Sequence, residues 1–191
     1  MAYTGAAGTY DVYVGTYTTT QSKGIYMFRF DGSVGRAETP KLVAEAVNPS
    51  FLDFTPDGRL LFAVNETDQT DGQQGGAVSA YSVDSRTGEL KFLNRVSTRG
   101  AGPCHLAVDP SGKCVVVANY GGGSVAAFQI GSDGSLGEAR SSFQHRGRSV
   151  NPRRQEAPHA HGVTFDAAGR FVFVPDLGLD QIVIYRVSAA E

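Results

Sequence analysis

The chain has 191 residues, 41% of them hydrophobic, with 24 glycines, two cysteines and a formal net charge of −2. That balance gives no electrostatic case for nucleic acid or an anionic membrane as partner, and no apolar run reaches the length of a spanning helix. The N-terminus, MAYTGAAGTYDVYV, lacks the basic and apolar regions of a secretory signal, and Cys104 and Cys114 form no disulfide framework, so the expectation is a cytoplasmic protein with reduced thiols.

From the N-terminus onward, short runs rich in Val, Ile, Phe and Tyr, bounded by turn residues, read as strands; helical periods of useful length are absent. The first unit, about 9–47, carries TYDVYVGTYT, GIYMFRFD and PKLVAEAV and lacks an inner strand. The second, about 48–98, carries SFLDF, RLLFAVN, GAVSAYSVD and ELKFLNRVS, with a polar, Gly-rich insertion at 66–76. The third, about 102–146, carries HLAVD, KCVVVANY, SVAAFQI and a weaker outer strand near 139–145. A basic, Pro-containing loop, HRGRSVNPRRQEAPHAH, leads to the fourth unit, about 158–191, which has no outer strand. First strands are expected at 51–54, 105–109 and 162–166.

The units repeat. Gly58, Gly112 and Gly169 each close a turn, and seven residues later stand Asn65, Asn119 and Asp176. The next strand ends on an aromatic each time: Tyr81, Phe128 and Tyr185. Gly8, with Gly15 seven residues on, supplies a fourth anchor. A period near 50 residues with about four strands per unit is the pattern of propeller blades. The fold class is therefore all-β: a β-propeller of four-stranded antiparallel blades, with about three and a half blades in one partial domain spanning 1–191. A ring of that size is not closed, so the remaining blades or a second chain are needed. Alone, its uncovered inter-blade faces favour instability or self-association.

In a propeller the first strand of each blade lines the channel, and the lead-in to it shares a face with the loop after strand two. Asn48, Cys104, His105, His159 and His161 occupy the lead-ins, and Asn65, Glu66, Asn119, Tyr120, Asp176 and Asp180 occupy the loops. His159 and His161, two apart in extended chain, point the same way. They suit a base with an electrostatic partner, or simply pin their loop; no third ligand of clear spacing accompanies them, so no metal is expected. His105 stands at the equivalent lead-in. Arg154 is a cation suited to an anionic substrate, set against a plain solvated arginine. Glu66 is a carboxylate placed to act as a base. Asn119 and Asp176 are candidates for substrate binding, against turn-capping roles. The GGG of NYGGGS opens no helix and makes no nucleotide site.

The stretches YVGTYT, NPSFLDFTPDGRLLFAVNE, GPCHLAVDPSGKCVVVANYGGGSV and RQEAPHAHGVTFDAAGRFVFVPDLGLDQIVIY together resemble the lactonase family of seven-bladed β-propellers, over essentially the whole chain. The resemblance implies seven blades, with this sequence matching an N-terminal half. It also implies hydrolysis of a sugar lactone, 6-phosphogluconolactone above all, in the pentose phosphate pathway. The channel residues it implies fall on His105, Arg154, His159, His161 and Asp176; with the positional reading, His105, His159, His161 and Arg154 are the candidate catalytic residues, and Glu66, Asn119 and Asp176 the candidates for binding substrate. No metal or organic cofactor is implied, because a lactone is already an activated ester. A lactonizing isomerase acting on a muconate, and a non-catalytic binding platform, are the alternatives on the same scaffold.

Overall fold

The computed structural model describes residues 2–4, 8–70 and 72–188; Asp71 of the 66–76 insertion and the final residues 189–191 of the fourth unit lie outside the described residues. Every regular element described is a strand. The first sheet contains β1 (Ala2–Thr4), β2 (Thr9–Val14), β3 (Gly24–Asp31), β4 (Arg36–Ala37) and β5 (Lys41–Glu45). The second contains β6 (Leu52–Phe54), β7 (Leu60–Asn65), β10 (Ala77–Val83) and β11 (Leu90–Ser97), with a small hairpin, β8 (Gln69–Thr70) and β9 (Gln73–Gln74), in its insertion. The third contains β12 (Pro103–Val108), β13 (Cys114–Asn119), β14 (Ser124–Ile130) and β15 (Leu136–Gln144). The fourth contains β16 (Thr164–Phe165), β17 (Phe171–Asp176) and β18 (Gln181–Arg186). All pairings within these sheets are antiparallel.

Three details differ from the sequence reading. Blade one does have a strand at the inner position: β1 pairs with β2, Ala2 opposite Val12. Three residues are too few to show a period of two. The outer strand of blade three starts at Leu136 and runs nine residues; register shifts along β14 break the alternation that would have revealed it. The inner strand of blade four covers only Thr164–Phe165, its upstream part reduced to a single bridge between Ala160 and Asp176.

The blades pack face to face, and this explains the unbroken apolar runs. In LLFAVN, Leu61 and Ala63 join Tyr13, Ile25 and Met27 of blade one, while Phe62 and Val64 join Leu106, Val115 and Val117 of blade three. In CVVVAN, Val116 and Ala118 turn the other way, toward Val163, Val172 and Val174 of blade four. A strand buried on both faces carries no polar alternation. Each such Leu, Val or Phe contributes about 1.5–3 kcal/mol through burial. The anchors Gly58, Gly112 and Gly169 have φ of 70°, 70° and 65°, the left-handed conformation that their turns require. Beyond the last layer, Ile182 and Ile184 on β18 remain 64% and 58% exposed. No helix of the described residues is long and apolar enough to cross a membrane.

Candidate active site

Lead-ins and strand-two loops meet on one face, and they do so by a repeated contact. Each lead-in docks on the strand-two loop of the blade before it. Asn48 Oδ1 accepts the Thr18 amide at 2.9 Å, the Gly102 amide donates to Thr67 O at 3.0 Å, and His159 Nδ1 lies 3.1 Å from Tyr120 O. The antiparallel order of the strands forces this arrangement. It gathers Tyr17, Ser50, Glu66, Cys104, His105, Tyr120, His159 and His161 from four blades.

The three histidines at this mouth are held in different ways. His105 stacks on Phe51 with ring centroids 3.8 Å apart, and its Nδ1 accepts the Val163 amide at 3.3 Å. In the neutral ring that leaves the proton on Nε2, so His105 is a donor. Burial, and then the charge of neighbouring His161, hold its pKa below the ordinary imidazole value. His159 is the reverse. A carbonyl can only accept, so its Nδ1 donates to Tyr120 O; its Nε2 faces Glu156 Oε1 at 3.6 Å, and its ring stacks on Tyr120 at 4.6 Å. His161 meets the edge of the same Tyr120 ring at 5.2 Å, so the two histidines do share a side. Its ring is exposed and, among the described residues, neither nitrogen has a hydrogen-bond partner.

Glu66 Oε2 accepts from the Tyr17 hydroxyl at 2.9 Å and from the Ser50 hydroxyl. The hydrogen bond to Glu66 raises the Tyr17 hydroxyl above its usual pKa. The Cys104 thiol points at the carbonyls of His161, Ala160 and Ala118, at 3.7–3.9 Å. Burial, then the Glu66 charge, push it up to about 11. A thiol so protonated is no nucleophile at neutral pH. Among the described residues no group of three or more His, Cys, Asp or Glu side chains is arranged to hold a metal ion.

Three candidates sit elsewhere than expected. Asn119 is fully buried, its Nδ2 donating to Thr98 O at 3.2 Å and Ser124 Oγ at 3.1 Å. The Asp176 side chain is buried too, against His145 at 2.5 Å. Both side chains are buried between blades and not exposed at the mouth; among the described residues Asn119 Oδ1 has no hydrogen-bond partner. Arg154 is exposed, and among the described residues its guanidinium has no partner; it is not drawn into the histidine cluster. Its neighbour Gln155 fastens the loop instead, donating to Leu177 O at 3.0 Å and accepting the Asn151 amide at 2.9 Å.

Tyr17, Ser50 and His145 were missed from sequence. Tyr17 was findable: it lies one position past the blade-one counterpart of Glu66, in YVGTYT. His145 had no signal, because its counterparts by backbone bonding, Ala46 and Thr98, carry no related chemistry. The DLG segment has a steric origin. A Cβ on Gly178 would fall 1.7 Å from Ala157 O, so only glycine lets this loop lie against the lead-in that carries His159.

Comparison with known proteins agrees with the architecture. The family model described as Lactonase, 7-bladed beta-propeller, matches residues 11–191. A Bacillus subtilis protein named 6-phosphogluconolactonase is 38% identical over 92% of this chain and 49% of its own length. One of the same name from Formosa agariphila is 30% identical, over 93% of this chain and 50% of its own. A solved structure from Bacteroides fragilis superimposes with TM-score 0.89 at 38% identity, over 97% of this chain and 50% of that one. The periplasmic gluconolactonase PpgL of Pseudomonas aeruginosa does so with TM-score 0.86 at 37% identity, over 93% and 50%. The chain spans about half the length of the curated relatives it matches. It belongs to the lactonase family of seven-bladed β-propellers.

Proposed function

We propose that the protein hydrolyses a phosphorylated sugar lactone, 6-phosphogluconolactone, to the open acid. The observation that carries this reading is the pairing, at one mouth, of a histidine whose ring nitrogens have no hydrogen-bond partner among the described residues with a histidine whose Nδ1 is held by a backbone amide. His161 accepts a proton from water as the oxygen attacks the lactone carbonyl carbon. His105 Nε2–H donates to the carbonyl oxygen as it gains charge. The bond from the carbonyl carbon to the ring oxygen then breaks, and the ring oxygen takes the proton held on His161. His159 keeps the loop in place through Tyr120. Glu66, oriented by Tyr17 and Ser50, is placed to bind sugar hydroxyls. Arg154, on a fixed loop and without a side-chain partner among the described residues, is suited to the phosphate. The relatives named as lactone hydrolases support this reading; no specific residue favours the isomerase or the binding platform. The reaction fits the pentose phosphate pathway and a cytoplasmic setting, although PpgL is named as periplasmic.

The test follows lactone hydrolysis by the 191-residue chain, alone and joined to the C-terminal half of the Bacillus subtilis relative, so that an open ring is not mistaken for an inert site. His161→Ala is expected to lower kcat at least about a hundredfold with the fold retained, the usual minimum for loss of a general base. Wild-type kinetics in that variant would overturn the assignment of the base.

A further inference from the structure

The polar residue that ends strand two does one job in two blades and another in the third. Asn65 Nδ2 donates to Val47 O at 2.9 Å and Asn119 Nδ2 to Thr98 O at 3.2 Å. Each acceptor lies just past the outer strand of the preceding blade. At the equivalent place blade four has Asp176. A carboxylate cannot donate, and what it meets is a side chain from past β15, His145.

His145 Nδ1 lies 2.5 Å from Asp176 Oδ2, and its Nε2 lies 2.6 Å from the Tyr185 hydroxyl. The carboxylate only accepts, so Nδ1 donates. Burial, then the Asp176 charge, push the Tyr185 hydroxyl up to about 12, so it stays protonated and donates to Nε2. The ring and the carboxylate are both buried, and these bonds leave the neutral imidazole one orientation.

The other carboxylate oxygen fastens the lead-in of blade four. Asp176 Oδ1 accepts the amides of His159 at 2.8 Å and Leu179 at 3.0 Å. In blade three the corresponding lead-in amide, that of Gly102, reaches the carbonyl of Thr67 in the blade before. Blade four does not copy this: the His159 ring bonds the Tyr120 carbonyl of the blade before, while its amide turns to its own blade. Asp176 takes its place. The amide of Leu177 and the carbonyl of His159 then close the loop at 3.0 Å, and the His161 amide bonds Pro175 O at 3.0 Å.

We propose that His145 is a positioning residue: clamped by Tyr185, it holds the Asp176 carboxylate in the orientation that carries the His159 amide, and so sets where His161 stands. The kinetic consequence rests on the lactonase reading; the structural one does not. His145 touches no substrate. It departs from the repeat at the one blade whose lead-in bears two histidines.

His145→Phe keeps a flat aromatic ring, slightly larger than imidazole, but removes both hydrogen bonds, whereas His145→Asn keeps a donor near Nδ1. In the joined protein, His145→Phe is expected to lower kcat about tenfold to a hundredfold, the scale of an ångström-sized misplacement, with KM little changed. His145→Asn is expected to recover most of that loss. In the 191-residue chain, which has four histidines, the 15N-labelled imidazole signals of His161 should shift in His145→Phe and return in His145→Asn. If the wild type hydrolysed no lactone, the function would fall while the imidazole spectra still decided the positioning role. His161 signals identical to wild type in His145→Phe would overturn it, as would equal losses of kcat in the Phe and Asn variants that track thermal stability. Should His145→Phe not fold, Tyr185→Phe, which frees only Nε2, is expected to move the same His161 signals, and an unmoved spectrum there overturns the proposal.

Discussion

Phe51 and His105 stack with centroids 3.8 Å apart and planes tilted by 29°, one residue from the lead-in of blade two and the other from the inner strand of blade three. The stack takes much of the imidazole out of water, and the Val163 amide occupies Nδ1, the nitrogen that would have to be protonated. The donor at the mouth is therefore built from three blades.

Burial, reinforced by His161, lowers the His105 pKa below 6.5. The unfolded chain then binds this proton more readily than the folded one, so stability present above 6.5 is lost as pH falls through the folded-state value. Thermal melts of wild type and His105→Phe are expected to diverge on acidification, with the wild type losing more. Parallel curves would show that His105 does not carry this linkage.

Asn119 is expected to matter for folding and not for substrate. Asn119→Ala leaves Thr98 O and Ser124 without their buried partner, a loss of about 1–3 kcal/mol. Urea unfolding should show that loss, while KM for the lactone stays at the wild-type value in the fraction that remains folded.

Arg154→Ala is expected to raise KM for 6-phosphogluconolactone and leave kcat nearly unchanged, because an exposed cation on a fixed loop holds the phosphate equally in the ground and transition states. The unphosphorylated lactone should show no such difference. A fall in kcat on both substrates would instead place the guanidinium on the developing oxyanion.

The 191-residue chain by itself is expected to self-associate through the face that bears Ile182 and Ile184, since an apolar face of that kind seeks cover. Sedimentation should show mass rising with concentration, and Ile184→Lys should reduce it. A monodisperse wild-type monomer across the concentration range would count against this.

Blade architecture was legible from sequence because its causes are local. A turn glycine at positive φ, seven residues before a polar stop, and a run buried on both faces leave their mark within a dozen residues, and antiparallel order then dictates which loops share a face. That reasoning placed His105, His159 and His161 at one mouth. What it did not reach depends on contacts between blades. Asn119 and Asp176 occupy the same slot of the repeat as Asn65, but what each side chain meets is set by the outer strand of the previous blade, 31 residues away for Asp176 and His145. The proton positions on His105 and His159 were likewise decided only in three dimensions, by one amide of Val163 and one carbonyl of Tyr120. Periodicity records which residues are buried; it does not record which hydrogen-bonding group waits on the other side, and that group determines whether a polar residue in this fold holds the blades together or is left free to act.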